Sequence, residues 1–113
     1  MPVTTLTDKR VSEILRYEEP IAQYSRSVFT ASAAIVAGDL LKIDANGNAT
    51  VAAVADLPTA VAIYPAVNGE KFTAIARHAV VNINNINWAS GITAAQKAAQ
   101  LASLSGVGIL ARD

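Results

Sequence analysis

His78 is the only histidine in this 113-residue sequence, and it stands beside Arg77 inside the apolar run "EKFTAIARHAVVNIN". An imidazole can serve as a general base or bind a metal, and either role needs further groups around it. No second histidine exists and no carboxylate lies close by in sequence, so His78 reads as a strand residue making local hydrogen bonds. The hydroxyls of Ser25, Ser27, Ser32, Ser90, Ser103 and Ser105 sit in no G-x-S-x-G elbow. A hydrolase triad would have to rely on that single histidine. The glycines are scattered as turn residues, with neither G-x-G-x-x-G nor a Walker pattern to cradle phosphate. Asp39, Asp44 and Asp56 lack EF-hand spacing, and Asp44 with Asn46 and Asn48 reads as turn chemistry. Cysteine is absent, which excludes disulfides, thiolate nucleophiles and sulfur-bound zinc. Nothing here assembles an active site, so a binding or structural role is expected, with no enzyme activity, metal or cofactor.

These residues sit on a succession of short strands from residue 31 onward. "AAIVAGDLLKID" is apolar with a break at Gly38-Asp39, and Asn46-Gly47 separates it from "ATVAAVA". Asn-Gly between two apolar runs predicts a hairpin with a type I′ turn, in which both central residues need φ > 0. "LPTAVAIYPAV" supplies a third strand, Asn68-Gly69 a second turn, and "EKFTAIARHAVVNIN" a fourth strand, bent where Ala76 to Ala79 breaks the alternation. After Trp88 the period changes. "SGITAAQKAAQLASLSG" offers Ser90 or Thr93 as N-cap, four alanines between 94 and 99, and Gly106 as a stop, predicting one helix. "GVGILARD" then returns as a closing strand. The expected fold is mainly β, a small barrel or meander with one short helix before the last strand.

Composition bounds what such a domain can do. Apolar residues make up 52% of the chain and aromatics 5%, so the core must be assembled from many small side chains, chiefly Ala and Val. At about 25 cal/mol per Å² of buried apolar area, such a core stabilises only modestly, and self-association is expected. Net charge is zero, from nine basic and nine acidic residues, which gives no electrostatic reason to bind nucleic acid or an anionic membrane. Partners should be proteins. The N-terminus has no apolar h-region and no stretch reaches the roughly 18 apolar residues of a membrane span, so the chain reads as soluble and made without a signal peptide.

The first 30 residues differ from the rest. They hold eight of the eighteen charges, and Pro20 interrupts them. Val11, Ile14 and Leu15 have helical spacing over one turn, while "YSRSVFT" alternates as a strand, with Tyr24, Arg26 and Val28 on one side and Ser25, Ser27 and Phe29 on the other. Large apolar groups recur through this leader, among them Leu6, Ile14, Leu15, Tyr17 and Ile21, more than a solvating tail usually carries. Residues 1–30 therefore read as an extended N-terminal arm that orders on a partner, and residues 31–113 as the β-rich domain. "VVNINNINW" is open to three readings: a stacked asparagine ladder, a solvent-facing loop, or hydrogen-bond partners for another subunit. Trp88 at its end is a packing anchor, within the domain or across an interface.

In this order, "GDLLKID" and a turn, "TAVAIYPAV", "EKFTAIARHAVVNI", a tryptophan, an Ala-rich helix and "GVGIL", the sequence resembles the lambda-type head decoration proteins of tailed bacteriophages over about residues 31–111. "YEEPIAQYSRSVFT" is similar to the leaders of that family. Its arm is longer and more charged, and its helix richer in alanine, than in the lambda protein. The resemblance implies a homotrimer on the outer surface of the expanded head at three-fold and quasi-three-fold positions. There it would cement neighbouring capsomers against the pressure of packed DNA. It implies the virion as location, after synthesis in the host cytoplasm, and the major capsid protein as partner. The arm would reach that partner by strand addition. Leu15, Tyr17, Ile21, Tyr24, Ser25, Arg26, Ser27, Val28 and Phe29 are then the expected capsid-binding residues, with Trp88 at a trimer contact or in the packing. Competing readings are a small β-barrel enzyme or ligand-binding module with a pocket lined by Arg77, His78 and Trp88, and a tail-tube or fibre subunit with a docking arm.

Overall fold

The computed structural model describes residues 11–18 and 24–112. Its centre is a closed barrel of five short strands: β2 (Arg26–Ala31), β3 (Leu40–Ile43), β4 (Asn48–Val51), β5 (Ala60–Ala62) and β6 (Lys71–Ile75). They follow the order β2-β4-β3-β5-β6, and β6 returns to pair with β2. All pairs are antiparallel except β2 with β4, so one parallel pairing interrupts the meander. A four-residue helix α1 (Val11–Ile14) leads into β1 (Leu15–Glu18), which joins β7 (Ala79–Asn82) and β8 (Ile109–Arg112) in a second sheet of order β1-β7-β8. A single 3₁₀ turn (Ile83–Asn85) and helix α2 (Ala94–Ser105) lie between β7 and β8. The mainly β barrel with one short helix before the last strand is thus the observed fold.

The alternation of side chains divides the interior in two. Within the barrel, Ala31, Leu41, Ala49, Ala60, Ala62, Phe72 and Ala74 form one cluster with Ile35 and Ala66. Ala62 lies opposite Ala74 and Leu41 opposite Ala60. Eight strands make a bore that ordinary side chains just fill, and five make a narrower one, so methyl groups occupy most inward positions. The intervening residues Leu40, Val61 and Ile75 point outward and pack with Ile14, Val81, Leu104 and Ile109 beneath the second sheet and α2. The larger aliphatic side chains are therefore concentrated between the layers.

Two turns correct the sequence reading. At 44–48 only Gly47 has positive φ, +81°, so this is not a type I′ turn. The Asp44 carboxylate organises it instead, accepting from the N–H groups of Asn46 (2.8 Å) and Asn48 (2.9 Å) and from the Asn48 amide (3.0 Å). These bonds, the Asn48 N–H foremost, hold the carboxyl below its ordinary pKa. The predicted fourth strand is two strands in different sheets. The chain turns sharply between β6 and β7 at Ala76-Arg77-His78, where His78 has φ +48°.

Helix α2 forms where its caps predict. Thr93 Oγ1 accepts from Gln96 N–H (3.1 Å) while Gln96 Oε1 accepts from Thr93 N–H (2.9 Å), a complete capping box. The helix stops at Gly106, whose φ is −61°; the left-handed residue is Gly108, at φ +83°. Buried Gln100 donates to the carbonyls of Ala53 (2.8 Å) and Asp56 (3.1 Å), and Ser103 Oγ to that of Pro58 (2.7 Å). The helix is so fastened to the β4–β5 connection.

Packing of this kind makes two expectations. Ala62→Leu or Ala74→Leu should overfill the barrel and cost about 1–3 kcal/mol by urea denaturation, whereas exposed Ala95→Leu on α2 should change stability by less than about 0.5 kcal/mol. Gly47→Ala meets no atom within 4 Å and should cost about 1 kcal/mol for its backbone alone. Gly108→Ala would place a Cβ 3.0 Å from His78 Nδ1 and 3.1 Å from its backbone nitrogen, so its loss should be at least about twice as large.

Candidate functional site

The segment expected to carry recognition, residues 24–29, lies against the β6–β7 corner. Ser25 is fully buried, and its hydroxyl donates to the His78 carbonyl (2.8 Å). Its own carbonyl accepts from Ala76 N–H (2.8 Å) and Arg77 N–H (3.3 Å). One serine thus secures the left-handed corner that carries the chain from the barrel to the second sheet. Gly108 permits the approach of β8 to that corner, where Val107 and Gly108 carbonyls accept from the N–H groups of His78 and Ala79 at 3.2 Å each.

Two arginines organise the surface around it. Arg26 donates from Nε to Glu18 Oε2 (2.8 Å) and from Nη2 to Glu18 Oε1 (2.6 Å), with a longer contact from Nη1 to Tyr64 Oη (3.4 Å). This bidentate pair ties the end of β1 to the start of β2, and the bonding to Glu18 raises the already high pKa of the guanidinium. Arg77 donates to the Tyr24 carbonyl, the Arg26 carbonyl (3.4 Å) and Ser27 Oγ. Its guanidinium carbon lies 5.4 Å from the centre of the Tyr24 ring, which also tilts against the His78 ring at 5.4 Å.

The residues expected to bind a partner are distributed unequally. The boundary drawn at residue 30 falls inside β2, because residues 26–30 pair with β6 as a barrel strand. Ser25 is internal, Phe29 packs against Phe72 in the barrel (ring centroids 6.4 Å apart), and Leu15 packs on the interlayer core. Arg26 and Ser27 are engaged as described, while Tyr17, Tyr24 and Val28 are exposed. Ile21 and Leu6 lie outside the described residues. The strand alternation itself holds, with Tyr24 and Val28 outward and Ser25 and Phe29 inward.

Trp88 packs on the interlayer core beneath Lys97 of α2, whose ammonium is 5.4 Å from the ring centre. Arg77 and His78 both meet the Tyr24 ring, whereas the described ring contact of Trp88 is with Lys97. A shallow apolar cleft of about 480 Å³ opens between Ile35, Val36, Pro65, Ala66, Val67 and Glu70. Its one carboxylate accepts the Val67 N–H (3.1 Å), and no basic side chain lines it. Among the described residues, no three of His, Asp and Glu gather to hold a metal.

Sequence reasoning missed two internal links. Asn87 donates to Asp39 Oδ1 and to the Ala37 carbonyl (3.0 Å each), while Asp39 Oδ2 accepts from Val36 N–H (2.9 Å). The asparagine run therefore serves the fold: Asn82 caps the 3₁₀ turn, Asn85 donates to the Glu13 carbonyl, and Asn87 joins the layers. The Glu18–Arg26 link joins residues on either side of Pro20, and the opposite charges eight apart were its only signal.

The family model described as bacteriophage lambda head decoration protein D matches residues 4–109. No curated protein matches the chain. With nearly its full length covered by that pattern, the chain belongs to the bacteriophage lambda head decoration protein D family.

Proposed function

We propose that this protein binds as a homotrimer to the outer surface of the expanded phage head at three-fold positions, and stabilises it against internal DNA pressure. Head decoration is a structural role in the virion, and it entails binding to the capsid. The observation that carries the finer reading is the reach of the family match to residue 4, which includes the leader as well as the barrel. A partner that binds only the expanded lattice stabilises it by mass action, and three linked contacts per trimer multiply a weak one into avidity. Zero net charge suits a surface that meets protein and not the genome.

The major capsid protein is the partner of this reading. The leader before β1 would make the contact by strand addition, aided by exposed Tyr17. Glu18 and Arg26 contribute indirectly: their pair fixes β1 on the barrel and with it the point from which the leader departs. Ser25 and Phe29 act through the fold, being turned inward.

Full-length protein should bind expanded, undecorated heads saturably, in multiples of three copies per site, while protein lacking residues 1–10 should keep the barrel and lose most of that binding. Equal binding by both, counted per capsid, would remove the leader from the mechanism. Light scattering that gave a monomer mass across the working concentration range, together with single copies per site on the head, would sink the trimer. Glu18→Ala and Arg26→Ala should each lower stability, with a coupling of up to about 1 kcal/mol in a double-mutant cycle. Neither should change capsid stoichiometry; a loss confined to Arg26→Ala would assign the guanidinium to the capsid contact.

A further inference from the structure

The barrel is closed, yet one of its strands has a bare edge. β2 pairs with β6 over residues 26–30, but with β4 only at Thr30 and Ala31. The bonding alternates: Ser25 and Ala31 bond toward β6, while Thr30 N–H donates to Gly47 on the β4 side. By that alternation the N–H and C=O groups of Arg26 and Val28 also face the β4 side, where no described strand continues. Val28 is 64% exposed.

Something does cover part of this edge. Arg77 comes from the β6–β7 corner, donates to the Tyr24 and Arg26 carbonyls and to Ser27 Oγ, and lies over the Tyr24 ring. A guanidinium with several donors fills the acceptors that an incoming strand would use, and it adds a charge where that strand would lie. Without it, two copies of β2 could pair edge to edge. Tyr24 and Val28 are uncharged and Arg26 is neutralised by Glu18, so two identical edges would meet antiparallel without repulsion between like charges.

We propose that Arg77 is a gatekeeper over the free edge of β2, and that the partner it excludes is the β2 edge of a second copy of this chain. Removing the guanidinium exposes the carbonyls of Tyr24 and Arg26 beside the open groups of Val28, a short template for strand pairing. This association differs from the trimer proposed above, because pairing two identical edges gives a two-fold contact.

The test uses the full chain. Arg77→Ala should self-associate at least about tenfold more tightly than the wild-type protein in sedimentation equilibrium, whatever assembly the wild type itself forms. Adding Val28→Pro should return it to the wild-type state, since the proline removes an N–H that makes no bond to β6. In the wild-type protein, the Val28 amide should exchange faster than those of Ser27 and Phe29, which face β6. An Arg77→Ala protein that sediments as the wild type does, or an association that survives Val28→Pro, would overturn the proposal. Should Arg77→Ala fail to fold, Arg77→Lys keeps the charge and loses the multidentate cover, and it should associate to an intermediate degree. A Val28 amide as protected as its neighbours would overturn the open edge by itself.

Discussion

A five-stranded barrel has room inside for little more than methyl groups, and most of this protein follows from that limit. Ala31, Ala49, Ala60, Ala62, Ala66 and Ala74 occupy the bore, with Ile35, Leu41 and Phe72 as its larger members. Methyl groups bury little area, so the bore closes the sheet without supplying much of its stability. The remaining burial is found outside. Leu40, Val61 and Ile75 turn outward and are covered by Ile14, Val81, Leu104 and Ile109 from the second sheet and the helices. The second layer is therefore a requirement of the first.

Two layers built from one chain need crossings, and the polar groups are placed at them. Ser25, His78 and Gly108 meet where β6 passes into β7, where the Ser25 hydroxyl bonds the His78 carbonyl and the Gly108 carbonyl accepts the Ala79 N–H. Asp39 and Asn87 make a second junction, and Gln100 a third. Buried polar groups lose stability unless they are bonded, so each junction also fixes a single geometry between the layers. Glu18 and Arg26 do the same at the rim, in view of solvent. In this frame β1 is held to the second sheet by β7 and to the barrel by the Glu18–Arg26 pair.

The physical character of the surface completes the match between fold and role. Charges are balanced, the large exposed side chains are mainly tyrosine and valine, and the cleft beside Ile35 has no acid–base pair. Exposed strand edges invite pairing with the wrong partner. β1 has its place at the edge of the second sheet, while the exposed part of β2 is guarded by a side chain from the adjacent corner.

Local chemistry alone determined several parts of this protein. Thr93 and Gln96 define the start of α2, Asp44 with Gly47 defines the hairpin, and the alternation of "YSRSVFT" separates outward Tyr24 and Val28 from inward Ser25 and Phe29, because each signal acts within a few residues. The same run was legible as a strand but not as a barrel strand, since its partner β6 lies more than forty residues away. The β6–β7 corner was visible only as a break in alternation at Ala76 to Ala79; that it sends the two halves into different sheets depends on Ser25 and Gly108 arriving from elsewhere. Asparagines that looked available to a neighbour, and Arg26 among the residues expected at the capsid, have partners inside the fold. A sequence states which groups can bond, and only the closed chain decides which of them meet, because the contacts that consume them are long-range.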